Sequence, residues 1–222
     1  MGVIGGLGPA ATLDFFSRVI AATGARTDQE HLPILIHNDP RVPNRNEAMA
    51  GTGPSPGPAL AQAAVHLERG GADFLVMPCN AAHAWVDEIR AASDLPFVSI
   101  LDATAAAASH TGATTVGVLA ADACLGGDLY PPVLRAAGMV PRVPTAANQA
   151  RFMAVLGRIK RGDRSAAVRD EMTALAEALG ADVVIAACTE IPLVLAQADV
   201  PVPLISSTDA LVTAAIAHAL AA

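Results

Sequence analysis

Two cysteines occupy matching positions in the sequence and could carry chemistry together. Cys79 ends the run ADFLVMPC (residues 72–79), and Cys188 ends the run ADVVIAAC (residues 181–188). Each follows an apolar run typical of a buried strand and precedes what looks like a helix. Backbone N–H groups at a helix start would lower a thiol pKa from about 8.5 toward neutrality. A thiolate and a thiol on opposite faces of one carbon could remove a proton from one face and deliver another to the opposite face.

The cysteine runs belong to an internal repeat. Downstream, PFVSxxDA (residues 96–103) matches PLISxxDA (residues 203–210), and upstream GVI (residues 2–4) has a counterpart in GVL (residues 117–119). The two halves therefore look like copies of one βα unit, each with a cysteine at a carboxyl strand end. Ligands bind beyond the carboxyl ends of strands in parallel sheets, so both thiols are expected in one cleft. Free cysteines are often buried hydrophobic residues, and Cys124, which has no matching partner, is interpreted that way.

The elements that must position these thiols alternate between strands and helices, which predicts an α/β fold with parallel sheets. Residues 49–58 are rich in Gly and Pro and read as a loop. We expect an N-terminal domain over residues 1–100 and a C-terminal domain over residues 101–207, with the helix at 208–222 packing back on the first. The predicted strands are 2–5, 34–37, 74–77, 97–100, 115–119, 183–186 and 203–205. The predicted helices are 10–23, 58–70, 82–92, 103–110, 129–137, 150–161, 165–179 and 208–221.

Four segments together resemble the aspartate/glutamate racemase superfamily, within it the aspartate-racemase-like branch. They are IGGLGPAAT (residues 4–12), HNDPRVPNR (37–45), MPCNAAH (77–83) and ACTEIPL (187–193). The resemblance covers nearly the whole chain. It implies two pseudo-symmetric Rossmann-like domains with the active site in the interdomain cleft. It also implies racemisation of an amino acid, aspartate or glutamate first, without pyridoxal phosphate or metal, and a homodimer.

The resemblance also implies roles for individual residues. Cys79 and Cys188 match the two acid/base residues. Asn80 and Thr189 would bind the α-carboxylate of the substrate, and Arg45 its side-chain carboxylate, for which a planar guanidinium is suited. Further residues expected around the substrate are Thr12, Asn38, Ala81, Lys160 and Glu190, with His83 as an auxiliary group that would either tune Cys79 or satisfy a helix N-terminus.

At several positions the chain departs from the family pattern. Ala81 stands where a threonine commonly follows Cys-Asn, which removes a hydroxyl from the expected carboxylate site. Asn44 and Asn46 flank Arg45 where Asp and Thr are usual, and Ser206 replaces an aspartate near the last strand. These changes leave the thiol pair intact and bear on the identity of the substrate.

Composition restricts the remaining classes of function. The formal net charge of −7, without a Lys/Arg cluster, argues against a nucleic-acid partner. No apolar run reaches the ~18–20 residues that span a bilayer, and the first residues do not form a secretory signal. Three widely spaced cysteines do not form a disulfide framework and indicate a reducing, cytoplasmic compartment.

Other interpretations stay open on the sequence. The segment GLGPAA (residues 6–11) fits the loose dinucleotide pattern, with Asp39 where an acidic ribose ligand would sit, so a nicotinamide-dependent dehydrogenase is one alternative. A non-catalytic clamp for a small dicarboxylate is another, and related chemistry such as maleate isomerisation or malonate decarboxylation is a third. A zinc site is disfavoured because the cysteines lack C-x-x-C spacing.

Overall fold

A computed structural model describes residues 1–221 and shows two four-stranded parallel sheets. The strand orders are β2-β1-β3-β4 and β6-β5-β7-β8, so the second sheet repeats the first. The α/β fold with two pseudo-symmetric parallel sheets is confirmed. The strands are β1 (Gly2–Gly5), β2 (Leu35–Asn38), β3 (Leu75–Val76), β4 (Phe97–Val98), β5 (Thr115–Ala120), β6 (Val140–Arg142), β7 (Val183–Ala187) and β8 (Leu204–Ser206).

Helices connect the strands and cover both faces of each sheet. The α-helices within residues 1–221 are α1 (Pro9–Thr23), α2 (Arg45–Met49), α3 (Gly57–Arg69), α4 (Val86–Ala92), α5 (Ile100–Ser109), α6 (Asp122–Gly126), α7 (Tyr130–Ala136), α8 (Ala146–Lys160), α9 (Ala166–Glu177) and α10 (Ser207–Ala221). Short 3₁₀ helices come after both cysteine-bearing strands, at Ala81–Trp85 after β3 and at Ile191–Leu193 after β7.

The side chains of the strands pack into one central hydrophobic core and two outer ones. Successive strand residues point to opposite faces, so Val3 and Val118 join the central core while Ile4 and Leu119 face the outer ones. The central core contains residues of both sheets together with apolar residues of α5 and α10. The two halves are therefore joined by one shared hydrophobic core.

Helices α5 and α10 are counterparts in the repeat, and a serine directly precedes each of them. Ser99 Oγ accepts from the Asp102 N–H at 3.2 Å, and Ser206 Oγ accepts from the Asp209 N–H at 3.2 Å. A serine oxygen that accepts from the first turn satisfies a donor that the helix itself leaves free. The repeated Ser-x-x-Asp of the sequence is thus a repeated helix start.

Helix α10 also contacts the first half of the chain. Arg18 of α1 pairs with Asp209 at 2.7 Å, and the rings of Phe74 and His218 lie 4.6 Å apart. The domain limits at residues 100 and 207 stay predictions, and the last residue of the predicted 208–222 segment lies outside the described residues.

Three elements were missed from the sequence. Strand β6 contains Pro141, which cannot donate to a neighbouring strand and is tolerated because β6 is an edge strand. Helices α2 and α6 have five residues each, too few to show a helical period. Strand β2 is also an edge strand, and its Leu35 and Ile36 are exposed rather than buried on both faces.

Candidate active site

Cys79 and Cys188 line one cavity at the carboxyl ends of β3 and β7, between the two halves. Both side chains are buried, at 7% and 8% exposure. The cavity volume is about 30 Å³, room for about two water molecules. Its other lining residues are Leu7, Asn44, Arg45, Asn46, Asn80, Ala81, Ala121, Lys160, Ala187, Thr189 and Glu190.

Cys188 is held as a thiol by a carboxylate. Its Sγ donates to Glu190 Oε2 at 3.0 Å. Burial, and next the negative charge of Glu190, raise the pKa of Cys188 well above its usual value. The expectation that a helix start lowers this thiol's pKa is therefore wrong for Cys188. The helix after this cysteine is a short 3₁₀ helix, and its favourable effect is outweighed by desolvation and the adjacent carboxylate.

Lys160 reaches the same carboxylate from the end of α8. Its Nζ lies 3.6 Å from Glu190 Oε1. Burial would lower the pKa of Lys160, but the negative charge of Glu190 outweighs burial and raises it. Lys160 therefore lines the cavity as a protonated cation, and its role in substrate binding stays a prediction.

His83 is buried and forms hydrogen bonds with the backbone of Cys79 and of Ile100. The Ile100 N–H at the start of α5 donates to His83 Nε2 at 3.2 Å, so the ring proton is on Nδ1, which donates to the Cys79 carbonyl at 2.9 Å. Burial lowers the pKa of His83 to about 4, so the ring is neutral near pH 7. Of the two roles considered for His83, the contacts show that it satisfies a helix N-terminus.

The side-chain amide of Asn80 is held at both ends. Tyr130 Oη donates to Asn80 Oδ1 at 2.6 Å, and Asn80 Nδ2 donates to Ser207 Oγ at 3.0 Å. Asn80 lines the cavity next to Cys79, while both partners lie outside it and belong to the second half of the chain. The orientation of this amide is therefore set from across the cleft.

Arg45 is anchored by backbone carbonyls at the edge of the cavity. Its guanidinium donates to the carbonyls of Val42, Pro43 and Leu7 at 3.2, 2.9 and 2.9 Å. At least two of its five N–H groups remain for a substrate anion. The next residue, Asn46, accepts from the Ala123 N–H of α6 at 2.9 Å and ties the start of α2 to the opposite half.

The glycine-rich loop after β1 is used for packing within the chain. Gly6 has φ +88° and a Cβ there would collide with the Asp39 backbone, while a Cβ on Gly8 would lie 2.8 Å from Glu190 Oε1. The Asp39 carboxylate is bound by Arg41 at 2.9 Å, which lowers the pKa of Asp39 to about 2. These contacts account for the dinucleotide-like pattern without a dinucleotide.

Two residues expected around the substrate lie away from the cavity. Thr12 is buried under the glycine-rich loop, where its Oγ1 accepts from the Gly6 N–H at 2.9 Å and donates to the Gly8 carbonyl at 3.2 Å. Asn38 lies exposed at the end of β2. Neither lines the cavity, so their roles in substrate binding stay predictions.

Several residues near the cysteines were not among the predicted site residues. Asn44 and Asn46 were noted only as departures from the family pattern, and they line the cavity. Tyr130 and Ser207 form hydrogen bonds with the Asn80 side chain and do not line the cavity themselves. Tyr130 is the chain's single tyrosine, but nothing in its neighbouring sequence indicates that it approaches residue 80.

Comparison with known proteins identifies the family. The Asp/Glu/hydantoin racemase family matches residues 4–215. The chain belongs to this family. The broad-specificity amino-acid racemase RacX of Bacillus subtilis is 27% identical over 236 residues, covering 100% of this chain and 98% of the relative. The predicted family and the prediction of an isomerase of the racemase class are thereby confirmed.

Solved structures agree with this assignment. The aspartate racemase of Picrophilus torridus is 30% identical with a TM-score of 0.89, over 99% of this chain and 93% of that one. A glutamate racemase from Francisella tularensis, solved with D-glutamate, has a TM-score of 0.72 at 17% identity, over 99% and 79% of the two chains. At that identity the second likeness shows the fold alone.

Two further findings, on membrane spans and on metal clusters, hold for residues 1–221. No helix in this part of the chain is both long and apolar enough to cross a bilayer. The same residues contain no cluster of three or more His, Cys, Asp or Glu side chains arranged to hold a metal ion.

Proposed function

We propose that this member of the racemase family interconverts the enantiomers of aspartate or glutamate by two-base proton transfer between Cys79 and Cys188. The observation that carries the proposal is that two buried thiols from equivalent strand ends line one cavity. A pseudo-twofold arrangement presents the thiols from opposite sides of whatever lies between them.

The unused N–H groups of Arg45 favour an amino acid with a second carboxylate. Arg45 and Lys160 supply two positive charges, and Glu190 and the proposed Cys79 thiolate supply two negative charges, so the lining has no net excess of either sign. The planar guanidinium of Arg45 keeps at least two N–H groups at the edge of the cavity, which suits the side-chain carboxylate of a dicarboxylic amino acid. The aspartate racemase of Picrophilus torridus, with 30% identity along nearly the whole chain, supports the same substrate class.

The proposed proton transfer needs no co-reactant. Cys79 as thiolate takes the α-proton from one face and becomes a thiol, while the Cys188 thiol gives its proton to the opposite face and becomes a thiolate. One C–H bond breaks and one forms, and the enzyme is left ready for the reverse reaction. The bond from Cys188 to Glu190 supports a resting state in which Cys188 holds its proton.

Removal of the α-proton places negative charge on the carboxylate, and the site must stabilise it. Asn80 and Thr189, each next to one cysteine, are the proposed donors, together with backbone N–H groups of the two loops. Donors fixed before the reaction stabilise such charge without reorganising, which is a large part of catalysis in buried sites. The missing hydroxyl at Ala81 gives Asn80 a larger share of this role.

Alanine variants of the three cysteines test the thiol pair. Cys79→Ala and Cys188→Ala should each lower racemisation by at least about 10³-fold, since each removes a required acid/base group. Cys124→Ala is the matched control: burial raises the pKa of Cys124 to about 12, and its side chain does not line the cavity. Chiral chromatography of aspartate and glutamate reactions gives the rates. Full activity in either active-site variant would contradict the two-base mechanism.

Assembly and compartment are proposals as well. The homodimer and the cytoplasmic location are suggested by the family resemblance and the free cysteines. Light scattering of the purified protein would measure the first, and a monomer at micromolar concentration would contradict it.

A further inference from the structure

A buried chain of hydrogen bonds joins the two cysteine-bearing halves. Tyr130 Oη donates to Asn80 Oδ1 at 2.6 Å, Asn80 Nδ2 donates to Ser207 Oγ at 3.0 Å, and Ser207 Oγ donates to the Ala186 carbonyl at 2.9 Å. Tyr130 and Ser207 have no exposed surface, and Asn80 is 3% exposed. We call these three side chains and the Ala186 carbonyl the Asn80 relay.

The direction of every bond in the Asn80 relay is fixed. A backbone carbonyl only accepts, so Ser207 must give its single hydroxyl proton to Ala186 and must accept from Asn80. The nitrogen of the Asn80 amide therefore faces Ser207, and its oxygen faces Tyr130. Burial raises the pKa of Tyr130 well above its usual value, so the phenol keeps the proton that it donates. One of the two Asn80 N–H groups remains, on a residue that lines the cavity.

The Asn80 relay also connects the surroundings of the two thiols. Asn80 follows Cys79 directly, and Ala186 lies in β7 two residues before Cys188. Tyr130 begins α7 and Ser207 begins α10, so two elements of the second half hold one amide of the first, and β7 in turn holds Ser207. A shift of that amide relative to β7 would break a buried hydrogen bond, which is costly where no water can replace it.

We propose that Tyr130 and Ser207 are positioning residues that orient Asn80 as a hydrogen-bond donor to the substrate α-carboxylate. This inference rests on the proposed racemase function. Neither residue lines the cavity, and both act through Asn80. Without the tyrosine hydroxyl the amide loses the partner that fixes its oxygen, and without the serine hydroxyl it loses the acceptor that fixes its nitrogen.

Steady-state kinetics of Tyr130→Phe and Ser207→Ala test the inference, with aspartate as substrate, or glutamate if aspartate is not turned over. Each variant should lower kcat/KM by about tenfold or more, the scale of one hydrogen bond to a carboxylate. KM should rise because the bound substrate loses a donor, and kcat should fall because the same donor stabilises the charge that proton removal adds to the carboxylate. A merely structural loss would lower the folded fraction, and so the apparent kcat, while leaving KM unchanged. Both enantiomers are assayed, because their equal free energies make kcat/KM the same in the two directions but leave KM free to differ between them.

The double variant shows whether both residues act on the same amide. If they do, Tyr130→Phe with Ser207→Ala should raise KM little more than the larger single effect, and not by the product of the two. Ser93→Ala is the matched control: it removes another buried hydroxyl, which accepts from the Leu95 N–H at 3.3 Å outside the relay. Its KM should equal that of the wild type.

The possible outcomes distinguish failure of the positioning role from failure of the proposed racemase function. An active wild type with unchanged KM in both variants, or with multiplying effects in the double variant, would overturn the positioning role and leave the racemase proposal standing. A wild type inactive on every amino acid tried would overturn both. Thermal unfolding establishes that each variant is folded, and Ser207→Ala, the smaller change, carries the test if Tyr130→Phe does not fold. Failure of both variants to fold would show a structural role only and overturn the inference.

Discussion

At the scale of residues, Cys79 and Cys188 occupy equivalent strand ends but have different neighbours two residues further on. Ala81 stands at that position after the first cysteine, and Glu190 stands there after the second. Only Cys188 therefore donates to a carboxylate, and its pKa is raised by burial and by that charge. The internal repeat predicts where the thiols lie, whereas their electrostatic surroundings depend on this single difference.

His83 provides a residue-scale prediction about pH. Its folded-state pKa of about 4 lies below the ordinary 6.5, so the unfolded chain binds a proton there more readily than the folded one. The stabilisation is complete above pH 6.5 and is lost as pH falls from 6.5 toward 4. Over that window it should amount to about 3 kcal/mol. Urea unfolding at pH 7 and pH 4 measures it.

Two histidine variants separate the contribution of His83 to the pH dependence of unfolding from that of other groups. In His83→Gln the fall in unfolding free energy between pH 7 and pH 4 should be about 3 kcal/mol smaller than in the wild type. His110→Gln, which changes an exposed histidine at the end of α5, should leave the fall unchanged. Equal pH dependence in wild type and His83→Gln would show that the buried neutral histidine contributes nothing.

At the scale of elements, the long helices and the buried strands could be predicted because each is long or apolar enough to leave a recognisable hydrophobic pattern in the sequence. Helix α3 was expected at 58–70 and is found at Gly57–Arg69, and β1 agrees at both ends. The short α2 and α6 were missed, although Arg45 begins α2 and α6 donates the hydrogen bond that Asn46 accepts. Five residues are too few to show a helical period, so the local sequence pattern could not predict these two helices beside the site.

The repeated helix starts at α5 and α10 give the element-scale prediction. Ser99→Ala and Ser206→Ala each remove a hydroxyl that accepts from a first-turn N–H, and each should lower the free energy of unfolding by about 1 kcal/mol. Ser109→Ala, at the exposed end of α5, should change it by less than about 0.5 kcal/mol. Denaturant unfolding of the three variants measures the differences, and no loss in either cap variant would contradict the capping role.

At the scale of the whole molecule, two identical strand orders place both cysteines at one cleft, and this could be predicted from the repeat. The links across the cleft could not, because they join positions far apart in sequence: Asn46 with Ala123, and Tyr130 with Asn80. The shared central core further restrains the two halves. A cavity of about 30 Å³ is smaller than an amino acid, so admitting the substrate requires the site to widen.

The most direct test of two-base racemisation follows the isotope at the α-carbon. The wild-type protein is incubated with L-aspartate or L-glutamate in D2O without added cofactor, and the enantiomers are separated at early times and analysed by NMR. Proton removal by one thiol and delivery by the other predict that the newly formed D-enantiomer contains deuterium while the remaining L-enantiomer still carries protium. Deuterium entering both enantiomers at equal rates from the start would contradict the account, because a single base would then serve both faces.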